Sequence, residues 1–80
     1  MERRDEEVQQ LMRLLDTLQG EGWAEVPLEV LEERIEGEEV EIRDVRGLIE
    51  HMVQEGYLVL KHRLRGQLSV WPTAHGETLR

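Results

Sequence analysis

A chain of 80 residues has room for one domain around one hydrophobic core. It contains no cysteine, which excludes disulfides, thiolate metal sites and cysteine nucleophiles, and no apolar run approaches the roughly 18 residues of a membrane span. The net charge of −8 is uneven, because residues 1–55 are strongly acidic, whereas residues 56–80 hold 4 basic residues and one acidic residue. The C-terminal third is therefore the part suited to a polyanion. The charged first residues predict no secretory signal and favour a cytoplasmic location.

Three segments show the apolar spacing of an amphipathic helix. The first runs from about Asp5 to Gln19, the second from Pro27 to Gly37, and the third from about Glu41 to Glu55. Each is followed or ended by glycine, which favours a helix stop, and Gly56 is suited to the position after the third helix. Leu14 widens the apolar stripe of the first helix. Either ordinary core packing or a homodimer contact through this helix explains that width.

After Gly56 the apolar period changes from 3.6 to 2, which is typical of β-strands. Alternation over residues 57–64 places three leucines on one face, Leu58, Leu60 and Leu64, and Tyr57, Val59, Lys61 and Arg63 on the other. Arg65-Gly66 is a predicted turn, residues 67–71 form the returning strand, and Thr73 can cap a final short turn. The sequence thus predicts an α+β fold, three helices followed by a two-stranded hairpin, in one domain of residues 1–80.

Two stretches carry a family resemblance. Val45 to Leu58 reads V-x-x-L-I-x-x-M-V-x-x-G-Y-L, and Leu68 to Gly76 ends in a threonine, two residues and a glycine. In this order they resemble the recognition helix and wing of winged helix-turn-helix proteins, notably small bacterial regulators of the MarR and PadR kind. The resemblance covers most of the chain and implies a transcriptional regulator that binds duplex DNA. The stretch Glu38-Glu39-Val40-Glu41 departs from the family, whose DNA readers often have small polar residues there.

The resemblance and the charge distribution point to six candidate nucleic-acid-binding residues: Arg43, Arg46, His51, Lys61, Arg63 and Arg65. Arginines on the third helix can hydrogen-bond guanine edges or phosphates, and cations on the wing gain affinity by counterion release. Two simpler explanations stay open. The helix residues also fit a solvated face with local ion pairs such as Arg46 with Glu50, and the wing cations also fit protection of an exposed strand edge.

The acidic residues of the second helix and the turn after it support an alternative function, a protein-interaction module that meets a basic partner. This face comprises Glu29, Glu32, Glu33, Glu36, Glu38 and Glu39. Solubility alone would also explain it. Winged helices serve as adaptors as well as DNA readers, and a fold by itself does not decide between the two functions.

Catalysis has no support in the residue pattern. The three histidines show no metal-ligand spacing, Ser69 lacks the surroundings of a nucleophile, and no glycine-rich phosphate loop is present. We therefore expect neither an enzyme nor a bound cofactor or metal.

Overall fold

The computed structural model describes residues 3–38 and 40–77, which form an α+β fold of four helices and a three-stranded antiparallel sheet. The helices are α1 (Arg3–Gly20), α2 (Leu28–Gly37), α3 (Val45–Gln54) and the short α4 (Ala74–Glu77). The strands are β1 (Val26–Pro27), β2 (Leu58–His62) and β3 (Leu68–Pro72). A single 3-10 turn, Leu64–Gly66, joins β2 to β3.

Helices α1 and α3 are each followed, two residues after the last helical position, by a glycine in the left-handed region. After α1 the N–H of Trp23 donates to the carbonyl of Leu18 at 3.2 Å, and that of Gly22 donates to Gln19 at 3.0 Å. This is a Schellman ending, which requires a positive φ, here 113° at Gly22. The same pair of hydrogen bonds closes α3, with Gly56 at φ 82°. The predicted stops at these two glycines are confirmed.

The start of α3 differs from the prediction. The helix begins at Val45, not near Glu41, and Asp44 stands just before it as the N-cap. The Asp44 carboxylate accepts a hydrogen bond from the backbone N–H of Gly47 at 3.0 Å, which satisfies one of the free N–H groups of the first turn. Ile42 is buried and fits the helical spacing, so the apolar pattern extended the predicted helix past its real boundary.

The predicted hairpin is present as β2 and β3, but a third strand joins it, so the predicted number of strands is wrong. Val26 pairs with Val70, and Pro27 pairs with Ser69, which gives the order β1-β3-β2. Pro27 has no N–H to donate, and an edge strand such as β1 tolerates this. Val26 precedes a proline and therefore avoids the helical region, but a strand of two residues is too short to show the alternation that would predict its pairing.

The register of the hairpin places one face of the sheet on the core. Leu58 pairs with Pro72 and Leu60 with Val70, so these side chains share a face with Val26. The buried apolar side chains form one cluster drawn from α1, α2, α3 and the sheet: Val8, Leu11, Met12, Leu14, Leu15, Leu18, Val26, Leu28, Leu31, Ile35, Ile42, Leu48, Ile49, Met52, Leu58 and Val70. Full burial of one such leucine contributes about 1.5–3 kcal/mol.

The apolar stripe of α1 packs inside its own chain. Leu14, which made that stripe unusually wide, is buried in the same core cluster as Leu11 and Leu15. These leucines are therefore not available to a homodimer interface on α1. The homodimer stays a prediction, and its contacts would have to be polar.

Leu64 is the largest departure within the hairpin. Strand alternation placed it with Leu58 and Leu60 on the core face, but β2 ends at His62. Leu64 lies in the turn instead, where 89% of its surface is exposed.

Candidate nucleic-acid interface

The structure brings together one arginine of α3 and one of the hairpin. Arg46 and Arg65 both line an open cleft of about 370 Å³, which we call the α2–hairpin cleft. Its wall comes from the first turns of α2 and from the end of the hairpin, with Glu29, Glu32 and Gln67 among the lining residues. Helix α3 and the hairpin therefore present cations toward one shared space, even though they are separate in sequence.

Arg46 has a carboxylate partner in this cleft. Its Nε lies 3.7 Å from Oε1 of Glu32 on α2, and the two side chains are 73% and 43% exposed. The predicted example of a pair within α3, Arg46 with Glu50, is thus replaced by a pair between two helices. A pair this exposed contributes little free energy, about 0–1 kcal/mol, so the guanidinium is available to another anion at small cost.

The hairpin cations Lys61 and Arg63 share a single carboxylate. Glu25, in the segment before β1, lies 3.7 Å from Nζ of Lys61 and forms an ion pair with the guanidinium of Arg63. Lys61 pairs with Ser69 on β3, which in turn pairs with Pro27. Strand β1 thereby brings Glu25 over the outer face of the hairpin. The sequence predicted the two cations, but without β1 it could not predict their counterion.

The hairpin tip, residues 63–67, is a tight turn with an unusual backbone. Arg65 has φ 65° and ψ 29°, and Gly66 has φ 73°, so two consecutive residues lie in the left-handed region. Type I′ turns need this conformation, and asparagine or glycine adopts it with less strain than arginine. The N–H of Arg63 donates to the carbonyl of Gln67 at 2.6 Å and closes the turn.

Two of the six predicted residues lie outside both groups. Arg43 precedes α3 and lines a separate depression together with Glu7 and Asp44. His51 is half-buried in the second half of α3. The six candidates are therefore divided between the α2–hairpin cleft, the outer face of the hairpin and these two isolated positions.

The acidic face predicted on α2 is only partly free. Glu29, Glu33 and Glu36 are exposed and form no ion pair with another described residue, whereas Glu32 is half-buried and holds Arg46. Glu38 is exposed just after α2, and Glu39 lies outside the described residues.

Near this face, Arg34 donates two hydrogen bonds to the carboxylate of Glu21, at 2.6 and 2.7 Å. These hydrogen bonds lower the pKa of Glu21 below its ordinary value and raise that of Arg34. Arg34 is therefore committed to α1's C-terminal turn and is not available to the acidic face.

The threonine-glycine motif after β3 fixes the hairpin to the end of α3. Thr73 Oγ1 donates to the carbonyl of Gly56 at 2.5 Å and accepts from the N–H of Gly76 at 3.0 Å, which caps α4 as predicted. Gly76 packs on the backbone of Tyr57, where an added Cβ would lie 2.9 Å from the carbonyl carbon and closer still to the oxygen. The spacing of the motif thus has a physical cause, one hydroxyl that joins two segments and one residue with no side chain.

Comparison with known proteins shows that the chain significantly matches no protein-family model, no curated protein and no solved structure. Across the residues that the structure describes, no helix is both long and apolar enough to cross a membrane, and no group of three or more potential metal ligands comes together. The function is therefore inferred from the geometry of the cleft and the hairpin.

Proposed function

We propose that this chain is a small winged-helix DNA-binding domain that acts as a transcriptional regulator. The order of its elements supports this function, since a short strand before α2 joins the hairpin in one sheet and α3 leads directly into that hairpin. In this proposal the β2–β3 hairpin is the wing and α3 is the helix that approaches the major groove.

The observation that carries the proposal is the shared position of Arg46 and Arg65 on the α2–hairpin cleft. If α3 enters a major groove and the wing lies along the neighbouring groove, the phosphodiester strand between the grooves must cross the space between them. A cleft with a guanidinium from each element suits that strand, because arginine binds phosphate oxygens with two parallel hydrogen bonds.

The carboxylates around these cations set the strength of binding. Glu32 holds Arg46, and Glu25 holds Lys61 and Arg63, so three of the cations exchange a carboxylate for a phosphate when DNA binds. Each exchange is small in free energy at an exposed site. Together with the net charge of −8, it predicts modest affinity that falls steeply as salt is added.

The test is a titration of fluorescently labelled mixed-sequence duplex DNA, followed by anisotropy at several salt concentrations. Arg46→Ala and Arg65→Ala should each weaken binding and lower the slope of log K against log salt by about 1. Arg13→Ala is the matched control, because Arg13 is exposed on α1 and lines a different groove. No binding by the unmodified chain at low salt, or equal losses in all three variants, would refute the proposal.

The exposed part of the acidic face supports the alternative function, a protein-interaction module. Glu29, Glu33 and Glu36 lie on one side of α2 without a cation from the described residues, which suits a protein partner with a basic surface. A specific partner bound by the unmodified chain and lost with Glu33→Lys, in a chain that does not bind duplex DNA, would favour the interaction module.

A further inference from the structure

Leu64 is an apolar side chain that stands alone at the hairpin tip. It is 89% exposed, and its sequence neighbours from His62 to Gln67 are all exposed and are either polar residues or glycine. An apolar protein-binding surface is marked by a contiguous apolar patch, usually of several hundred Å². A single leucine among cations does not supply such a patch.

The backbone of the tip directs this leucine outward between two arginines. Arg63 precedes it and Arg65 follows it, and Arg65 occupies the left-handed region at φ 65°. Arginine is strained in the left-handed region, whereas asparagine would relax the turn. This position therefore holds a cation although the cation costs backbone strain. The result is an exposed apolar side chain between two arginines, of which Arg63 pairs with Glu25 and Arg65 lines the α2–hairpin cleft.

Duplex DNA combines the two chemistries that these three side chains would contact. Its surface is anionic, and its interior is a stack of apolar base faces. Proteins that bend DNA insert single apolar side chains, leucine included, between adjacent base pairs from the minor groove while arginines or lysines line the groove.

We propose that Leu64 is a wedge that inserts between two base pairs, with Arg63 and Arg65 holding the phosphates or groove edges beside it. This rests on the proposed DNA-binding function and adds to it a mode of recognition, because pyrimidine–purine steps such as TA unstack most easily. Leu64 thereby selects flexible steps with no hydrogen bond of its own to a base.

The experiment measures unstacking separately from binding. A duplex with 2-aminopurine next to a central TA step is titrated with the full chain, and 2-aminopurine fluorescence and the anisotropy of a distant end label are recorded together. Leu64→Gln keeps the size of the side chain and removes its apolar end. His62→Gln is the control, because His62 is exposed near the same tip and lies outside the cleft. We expect fluorescence to rise with the unmodified chain and His62→Gln but not with Leu64→Gln, which should bind roughly threefold to tenfold more weakly.

The remaining outcomes separate the two proposals. If the chain binds the duplex but fluorescence does not rise, or rises equally with Leu64→Gln, the wedge is refuted and the DNA-binding function stands. If the chain does not bind the duplex at low salt, both proposals fail. Binding to vesicles of anionic lipid that depends on Leu64, without DNA binding, would also overturn the wedge and make the tip a membrane contact. Circular dichroism of each variant checks that the fold is retained.

Discussion

Removal of the charge on Glu25 should strengthen DNA binding while it weakens the fold. Glu25 is 28% exposed and holds two cations on the outer face of the hairpin, Lys61 at 55% and Arg63 at 47% exposure. In the proposed complex these cations must leave Glu25 before they can meet phosphates. Glu25→Gln removes the competing carboxylate and leaves a side chain of nearly the same size.

The size of the effect follows from the two ion pairs that no longer have to break before DNA binds. The same two cations meet phosphates in both proteins, so the number of phosphates neutralised is unchanged. Two exposed pairs contribute together about 1 kcal/mol, so Glu25→Gln should bind DNA about fivefold more tightly than the unmodified chain. Loss of two exposed ion pairs should lower stability by about 1 kcal/mol, which in a domain of this size lowers the Tm by roughly 4–8 °C.

The assay is anisotropy with labelled duplex DNA across a salt series, paired with thermal unfolding followed by circular dichroism. Glu33→Gln is the matched control, since Glu33 is exposed on α2, pairs with no other described residue and changes the net charge equally. Equal gains in affinity for the two variants would show that net charge alone acts. That result would refute the role of Glu25 as a local competitor of phosphate.

Three further changes test other parts of the structure. Gly76→Ala places a Cβ against the backbone of Tyr57, which should destabilise the fold by about 1–3 kcal/mol in denaturant unfolding. Arg65→Asn relaxes the left-handed turn and should stabilise the fold by about 1 kcal/mol while it weakens DNA binding. The lowered pKa of Glu21 means that its pair with Arg34 stabilises the fold above the unfolded pKa of about 4.5 and loses this contribution as pH falls through the folded value. Tm measured against pH should show that loss.

Each of these changes has a control. Gly37→Ala has open space around its new Cβ, so it should not destabilise as Gly76→Ala does, and an equal loss in both would exclude the backbone contact as the cause. Arg65→Lys keeps the charge and the strain, and it should leave stability almost unchanged. Glu21→Gln should be less stable than the unmodified chain at neutral pH and match it in acid. A constant difference at all pH values would contradict the role of the ion pair.

The sequence predicted the helices well because their signals are local. Apolar spacing marked the buried faces, and Gly22 and Gly56 end α1 and α3 through hydrogen bonds made within a few residues. Thr73 as a cap follows from the same local chemistry. A helix boundary is predicted wrongly where the apolar period and the cap disagree. Before α3, buried Ile42 continues the helical period, although Asp44 is the N-cap.

Parts that depend on distant pairing could not be predicted. The two-residue strand β1 is recognisable only from its pairing with β3. That pairing also places Glu25 as the counterion of Lys61 and Arg63. Leu64 was misplaced for a related reason, because alternation does not reveal where a strand gives way to a turn. For the candidate site, the charged residue types were predictable from the sequence. The division of the cations between the α2–hairpin cleft and the outer face of the hairpin depends on strand β1.

The pairing of β1 with β3 also constrains how the chain folds. Val26 meets Val70 across the sheet, so α2, α3 and the whole of β2 lie within one loop that this contact closes. Closure of so long a loop costs chain entropy before the strand pairing contributes any favourable free energy. Pairings of this kind therefore slow folding. During synthesis the helices can form as they emerge, but the sheet is complete only after Pro72 has left the ribosome. The ion pairs of Glu25 with the hairpin therefore belong to the last stage of folding.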